Sequence, residues 1–99
     1  MATARCQRDD QRLYRLLKAL GNPVRLQIVR FIQDHPRCIG YQIQLHLPDD
    51  VARAQSTLSQ HLKILRSAGI IQAHDDGSAT CYALDHEMLG WLREQLADM

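Results

Sequence analysis

The sequence lacks the features of a membrane protein, a secreted protein or a disulfide-bonded scaffold. No apolar run approaches the roughly 18–20 residues of a membrane-spanning helix, so we expect no membrane partner. The opening residues, MATARC, contain no apolar core of a secretory signal, and we expect a cytoplasmic protein. Only three cysteines are present, without paired spacing, which argues against a disulfide framework.

Motifs of catalysis are also missing. The chain has no nucleophile elbow, no glycine-rich phosphate loop and no paired His-x-x-x-His, and its five histidines are scattered. Internal repeats and low-complexity segments are absent. A chain of 99 residues is also small for an active-site cleft. We therefore expect neither an enzyme nor a required cofactor.

The composition is that of one small globular domain. Hydrophobic residues make up 45% and charged residues 23% of the chain, which is ordinary for a folded protein. A chain this short buries only about 60–65% of its unfolded surface, so pairing with a second copy would add stability. We predict a flexible basic arm over residues 1–8 and a single folded domain over residues 9–99.

The charge is distributed unevenly, although the net charge is only +1. Residues 1–66 contain 11 Lys and Arg against five Asp and Glu, whereas residues 67–99 contain one against six. Such asymmetry suggests a polyanion partner for the basic part. Solvated helix faces would have the same composition, so the charge alone leaves both interpretations open.

Hydrophobic periodicity predicts a mainly α fold with a small β-hairpin, in the order ααααββα. Leu17 belongs to an apolar stripe of the first helix that could also contribute to a dimer. Leu26 is expected to face inward from the second helix, which begins at the Asn22-Pro23 start signal. Gly69 ends the fourth helix, and a turn follows within the hairpin. The predicted elements are helices at about 10–20, 23–34, 39–47 and up to 68, strands at 70–73 and 79–84, and a helix from 85.

A short third helix, a break and a fourth helix with a polar outer face are typical of a helix-turn-helix, and the hairpin that follows would be its wing. Hydroxyl, amide and basic side chains can bind base edges and phosphates in a major groove. A solvent-exposed polar helix, or a module that binds protein, would present similar residues. The predicted DNA-binding residues are Gln55, Ser56, Thr57, Ser59, Gln60, His61, Lys63 and Arg66.

Two segments resemble the ArsR/SmtB family of winged-helix repressors. Residues 17–26, LKALGNPVRL, resemble the opening of that family, and residues 55–71, QSTLSQHLKILRSAGII, resemble its recognition helix and exit. The resemblance extends over residues 12–96. It implies a winged helix-turn-helix that forms a homodimer through its first and last helices. It further implies a repressor of double-stranded operator DNA that an effector releases, and a two-fold dimer would read an imperfect palindrome.

The wing departs from the family pattern. Family wings are usually basic, whereas this hairpin reads His74-Asp75-Asp76-Gly77-Ser78. Two carboxylates at this point would repel phosphate. We therefore expect no strong wing contact with DNA, except through His74 or the backbone.

The resemblance also indicates where an effector would bind. One metal site of the family uses a Cys-x-Cys pair, of which this chain retains only Cys38, because Gly40 occupies the second position. A variant of that site adds cysteines from the N-terminal arm, where Cys6 is suitably placed, and Cys81 lies on the second wing strand. Thiolates select soft ions. The predicted metal ligands are therefore Cys38, Cys6 and Cys81, with As(III) or another soft metal ion as the inducer.

Two alternatives for the effector remain open. Cys38 and Cys6 of the partner could form a redox-sensitive disulfide, or respond to a sulfur species, and a repressor without any metal site is also compatible with the sequence. A second family site, on the last helix, corresponds here to Asp85, Glu87 and Asp98. That set contains no histidine and suits hard cations, so we interpret it as a solvated helix face.

Overall fold

The computed structural model describes residues 9–48 and 54–99. The predicted arm, Cys6 and the stretch 49–53 lie outside these residues. Within the described ranges, no helix is long and apolar enough to cross a membrane. The elements, in chain order, are α1 (Asp10–Leu20), α2 (Pro23–Asp34), β1 (Cys38–Ile39), α3 (Gly40–His46), α4 (Gln55–Ser67), β2 (Ile71–Asp75), β3 (Thr80–Leu84) and α5 (His86–Ala97).

Side-chain caps begin three of the helices. The Asp9 carboxylate accepts the backbone N–H of Arg12 at 3.0 Å at the start of α1. Asn22 accepts two backbone N–H groups, at 2.9 and 3.1 Å, at the start of α2. Asp85 accepts the N–H of Met88 at 2.9 Å at the start of α5. Each cap satisfies amides that have no partner within the helix, which is why these starts agree with the sequence prediction.

A Schellman motif ends α4 and turns the chain into β2. Ile70 donates its N–H to the Leu65 carbonyl and Gly69 donates to the Arg66 carbonyl, both at 3.0 Å. Gly69 has a φ of +84°, and a Cβ there would lie 2.8 Å from Cε of Met88. Ile70 and Leu65 are fully buried. The position of the wing relative to α4 therefore depends on this glycine.

The sheet has three antiparallel strands in the order β1-β3-β2. The sequence predicted only the hairpin of β2 and β3. The additional strand, β1, pairs Cys38 with Tyr82 and Ile39 with Cys81. A strand of two residues has no periodicity of its own, so the pattern of apolar residues could not reveal it. It joins the segment before α3 to the wing.

The turn between β2 and β3 is tight. Asp76 donates its N–H to the Ala79 carbonyl at 3.0 Å, which leaves Gly77 and Ser78 as the central residues. Gly77 has a φ of +97°, a left-handed conformation that glycine adopts without steric cost. The reversal brings β3 antiparallel to β2, as the sequence predicted for the hairpin.

The core lies between the helices and the inner face of the sheet. Leu26, which was predicted to face inward, is 46% exposed. Leu17 of the α1 stripe is 41% exposed, while Ala19 is buried in α1. The apolar stripes of α1 and α2 are wider than the part of the core that each helix faces. The most deeply buried side chains are Leu16, Ile28, Ile32, Ile43, Leu65 and Ile70.

One arginine joins the first helix to the last. Arg12 of α1 donates from Nε and Nη2 to Sδ of Met88, at 3.3 and 3.1 Å. Its guanidinium carbon lies 4.2 Å from the ring centre of Trp91, within the range of a cation–π interaction. These contacts hold α5 against α1, so the two helices form one layer.

Candidate nucleic-acid interface

The outer face of α4 carries most of the predicted DNA-binding residues. Thr57 and His61 are half-buried at its edges, and three leucines anchor the opposite side in the core. This distribution follows the helical period, which separates polar from apolar positions. The six exposed members of the predicted set are Gln55, Ser56, Ser59, Gln60, Lys63 and Arg66.

His61 faces the junction of α1 and α2. Its Nδ1 lies 3.3 Å from Nη1 of Arg25, and Arg25 also donates from Nε to the Ala19 carbonyl at 2.6 Å. Burial, and then the positive charge of Arg25, lower the pKa of His61. The Arg25 side chain thus joins the end of α1 to α4. His61 is thus a neutral acceptor for Arg25.

Two grooves flank α4. A groove of about 470 Å³ between α1 and α4 is lined in part by Arg15, Lys18, Arg25 and Lys63, and its described lining contains no carboxylate. A second groove, of about 620 Å³, lies between α4 and β2 and is bordered by Lys63 and Arg66. Because Lys63 borders both, α4 is a ridge between two basic grooves. Sequence reasoning missed the first groove, since only the fold brings α1 beside α4.

This arrangement suits double-stranded DNA. A B-DNA major groove is about 12 Å wide and admits an α-helix, and amide or hydroxyl side chains can donate and accept at the base edges. Gln60 and Ser59 lie on the exposed ridge of α4, and the basic side chains of the groove between α1 and α4 lie beside it. Basic side chains on the flanks of an inserted helix would meet the phosphates that border the groove.

The wing tip is acidic and internally hydrogen-bonded. Asp75 accepts the Thr80 hydroxyl at 3.0 Å, and Asp76 accepts the Cys81 thiol at 3.5 Å. His74 is exposed on β2. Two carboxylate side chains at this point disfavour the approach of a phosphate. The expected absence of a strong wing contact therefore stays a prediction with a physical reason.

The two described thiols lie on opposite faces of the sheet. Cys38 is 3% exposed and pairs with Tyr82, which packs against the core. Cys81 is half-buried and pairs with Ile39 and His74, and neighbouring positions along a strand point to opposite faces. Residues 9–48 and 54–99 contain no group of three His, Cys, Asp or Glu side chains placed to hold a metal ion. The predicted three-cysteine site stays a prediction, with Cys6 outside these ranges.

Both thiols are held in the protonated form near neutral pH. Burial raises the pKa of Cys38 despite a backbone hydrogen bond that lowers it. Desolvation and then the Asp76 carboxylate raise the pKa of Cys81, against the opposing charge of Arg37. Because the thiolate is the form that binds metals and attacks electrophiles, a ligand at either thiol must first displace a proton.

The carboxylates singled out on the last helix have structural roles. Asp85 caps α5 and also accepts from Nε2 of Gln72 at 3.1 Å. Glu87 is exposed in the first turn, and Asp98 is the C-terminal cap residue. They lie at the two ends of a helix of 12 residues, which spans about 18 Å. Their placement is that of a capped, solvated helix.

An apolar surface runs along the side of the molecule formed by α1, α2 and α5. Leu17, Leu26 and Leu96 are each exposed by more than 40%. A groove of about 290 Å³ between α2 and α5, lined mostly by leucine and valine side chains, continues this surface. Contiguous exposed apolar surface often marks an interaction site. In the single chain, these three leucines are therefore uncovered.

Comparisons with known proteins agree with this layout. A family model described as "Bacterial regulatory protein, arsR family" matches residues 49–73, which include all of α4. Over 75 residues the chain is 39% identical to the HTH-type transcriptional repressor SmtB of Mycobacterium tuberculosis, covering 74% of this chain and 51% of that protein. The chain thus spans about half the length of that relative. It is also 35% identical over 92 residues to the uncharacterized HTH-type transcriptional regulator YbzH of Bacillus subtilis, covering 82% of this chain and 91% of YbzH.

The fold is that of a solved winged helix-turn-helix. A homodimeric winged helix-turn-helix DNA-binding domain (fragment 1–100) from Mycobacterium bovis, described as a possible ArsR-family transcriptional regulator, is similar at a TM-score of 0.66 and 26% identity. The similarity covers 89% of this chain and 80% of that one. The predicted winged-helix fold is confirmed. The short strand β1 is the one element of the described residues that the sequence did not predict.

Proposed function

Because the chain belongs to the ArsR family of bacterial regulatory proteins, we propose that it is a DNA-binding transcriptional repressor that acts as a homodimer. The family consists of regulators, and the chain is not an enzyme. The observation that carries the proposal is the exposed ridge of α4 between two basic grooves. The repressor named among its relatives, SmtB, supports repression as the direction of control.

DNA binding follows from the side chains on this ridge. Gln60 offers an amide that can pair with an adenine edge, and Ser56 and Ser59 offer hydroxyl groups that donate and accept. Lys63 and Arg66 lie further towards the C-terminal end of α4 than Gln60 and bind phosphate. The N-terminal half of α4 thus reads bases, while the C-terminal half anchors the backbone.

A homodimer would cover the apolar surface of α1, α2 and α5. Leu17 and Leu96, on the first and last helices, are both exposed in the single chain. The contacts of Arg12 with Met88 and Trp91 hold these helices as one layer, which a second copy can meet by a two-fold rotation. Such a dimer presents two α4 helices to half-sites about 34–36 Å apart, or a multiple of this. Its operator is then an imperfect palindrome.

The salt dependence of binding tests the repressor proposal against a module that binds protein. Fluorescence anisotropy of a duplex from the upstream region of the gene should give log affinity falling linearly with log salt, by about 0.9 per neutralised phosphate. Lys63→Ala should reduce the steepness by about one such unit. Arg30→Ala removes the same charge from an exposed site on α2. Because Arg30 borders the groove between α2 and α5, this variant serves as the control once sedimentation shows that it has the dimeric state of the wild type. A shallow dependence, equal in all three proteins, would contradict DNA as the partner.

We further propose that a thiophilic effector, with arsenite as the first to test, releases the DNA by binding Cys38, Cys81 and Cys6. The soft character of three thiolates supports this set. Since Cys38 and Cys81 lie on opposite faces of the sheet, binding both requires β1 to move. β1 leads directly into α3, which precedes α4 in the helix-turn-helix, so that movement would displace the DNA-reading helix.

A thiol-redox or sulfur-species response is the second candidate. The observation that favours it is the partial exposure of Cys81 beside a groove of about 380 Å³ that Arg37 and His74 also line. Reaction at one accessible thiol requires no movement of β1. An oxidant would then act on the more exposed thiol while Cys38 stays buried.

Titration of the DNA complex with arsenite, and separately with a mild oxidant, distinguishes these candidates. A thiol-bound metalloid predicts release by arsenite in the wild type and loss of release in Cys38→Ser, with DNA binding unchanged. The redox candidate predicts release by oxidant, which Cys81→Ser abolishes when Cys81 is the reacting thiol and Cys38→Ser abolishes when Cys38 forms a disulfide with Cys6 of the partner. Binding that neither reagent affects would contradict both and leave a repressor without a thiol effector.

A further inference from the structure

We propose that the groove between α1 and α4 binds the phosphate backbone of DNA, so that Arg15 and Lys18 of the first helix are DNA contacts. This inference rests on the proposed function and extends its binding surface beyond α4 and the wing. The first helix would then contribute to the dimer interface and also contact the phosphate backbone of the operator. The chemical class of the ligand is a phosphodiester strand bordering the major groove that α4 enters.

The charge of the groove is of one sign. Arg15, Lys18, Arg25 and Lys63 contribute to its lining, and no carboxylate does so among the described residues. Arg15 and Lys18 are three positions apart on α1 and are both exposed, so they share one side of the helix. Cations that converge from two helices without a neutralising carboxylate attract a polyanion.

One of these cations is already held in place. Arg25 is fixed by the Ala19 carbonyl at 2.6 Å and by Nδ1 of His61 at 3.3 Å, so little entropy is lost when its charge meets a phosphate. The small side chains of Ala19 and Ala68 also line the groove. They leave room for a sugar-phosphate strand to approach the cations.

The position of the groove favours DNA over a free anion. Gln60 and Lys63 belong both to the exposed face of α4 and to the groove lining. A duplex that contacts that face must therefore pass its backbone beside α1. On the other side of α4, Arg66 borders the groove next to β2. At the wing tip, Asp75 and Asp76 repel phosphate. The basic groove between α1 and α4 offers the DNA backbone a favourable contact that the wing tip does not.

Counterion release sets the expected size of the effect. One phosphate contact changes log affinity by about 0.9 per decade of salt, which corresponds to about fivefold in affinity at about 0.15 M salt. Arg15→Ala and Lys18→Ala should each weaken binding by about this factor and reduce the salt slope by about 0.9. The loss should be equal on specific and scrambled duplexes, because phosphates carry no sequence information.

The experiment measures salt slopes by anisotropy on a scrambled duplex and on a duplex from the upstream region of the gene. It compares the wild type with Arg15→Ala, Lys18→Ala and Lys18→Arg, with Arg30→Ala as the matched control on α2. Both alanine variants remove exposed side chains, and circular dichroism confirms folding. Reduced slopes in the two alanine variants, with the wild-type slope in Lys18→Arg and Arg30→Ala, support the proposal.

Lys63→Ala separates failure of this inference from failure of the proposed function. If Lys63→Ala reduces the slope while Arg15→Ala and Lys18→Ala behave like Arg30→Ala, the groove is not a backbone contact and α4 alone binds DNA. If the wild type itself binds with a shallow slope that no variant changes, the proposed function fails together with the inference. A loss confined to the upstream duplex would also overturn the inference, since it would indicate base reading.

Discussion

Replacing Arg25 by methionine removes the link between the end of α1 and α4 while retaining an apolar side chain. The guanidinium donates to the Ala19 carbonyl at 2.6 Å and to the Lys18 carbonyl at 3.5 Å, and it lies 3.3 Å from Nδ1 of His61. Two of these acceptors are the last carbonyls of α1, where a positive charge is favourable. We expect Arg25→Met to destabilise the protein measurably.

The magnitude follows from the best of these contacts. A hydrogen bond to a charged group contributes about 1.5–3 kcal/mol net. Arg25 is half-buried, so water can partly replace it at the carbonyls, and the lower end of that range, about 1.5–2 kcal/mol, applies. For a domain of about 100 residues, each kcal/mol lowers Tm by roughly 4–8 °C. The expected loss is therefore roughly 6–16 °C.

Thermal denaturation at one fixed protein concentration is the assay, because dimerisation makes Tm depend on concentration. Arg30→Met is the matched control, measured where sedimentation shows the dimeric state of the wild type, because Arg30 also borders the groove between α2 and α5. Arg30 is exposed on the same helix, and the one hydrogen bond described for it is to Gln33 at 3.2 Å. Its effect should stay within about 0.5 kcal/mol. Equal Tm values for Arg25→Met and Arg30→Met would refute the structural role assigned to Arg25.

Three further predictions concern single residues. Gly69→Ala should lower Tm more than Gly77→Ala. Each substitution forces alanine into a left-handed conformation at a cost of about 1–2 kcal/mol, but only Gly69→Ala places a Cβ 2.8 Å from another side chain. Equal losses of Tm in thermal denaturation would contradict this prediction. Because folding lowers the pKa of His61, its contribution to stability is full above about pH 6.5 and declines as the pH falls below it. His61→Gln should reduce the Tm difference between about pH 7.5 and about pH 5.5, and an unchanged difference would oppose the assignment. Iodoacetamide should modify Cys81 before buried Cys38 in the native protein, and equal rates by peptide mapping would contradict the placement of Cys38.

Local signals in the sequence were sufficient for much of the fold. The Asn22-Pro23 start and the Gly69 stop depend on capping chemistry within a few residues, and both are present. The exposed face of α4 follows from helical periodicity alone. The exposure of Leu17 and Leu26 could not be predicted in this way. Periodicity identifies an apolar stripe but does not say whether the same chain or a second copy covers it.

Features that depend on distant parts of the chain could not be predicted. β1 forms because Cys38 pairs with Tyr82, 44 residues away, and Ile39 pairs with Cys81, 42 residues away. The Arg25 side chain contacts the end of α1 and His61 of α4 because α1, α2 and α4 pack together at this point. The separation of the two thiols likewise follows from strand pairing, which no spacing in the sequence specifies.

Sequence discrimination by α4 tests the central claim most directly. The measurement is the affinity ratio between a duplex selected by the protein from a random-sequence library and a scrambled version of it, for the wild type and Gln60→Ala. A base contact of this kind contributes about 1–3 kcal/mol of discrimination, so Gln60→Ala should reduce the ratio by roughly 5- to 150-fold and leave the salt slope unchanged. A wild type that binds both duplexes equally, or a Gln60→Ala protein with an undiminished ratio, would contradict the assignment of α4 as the helix that reads the operator.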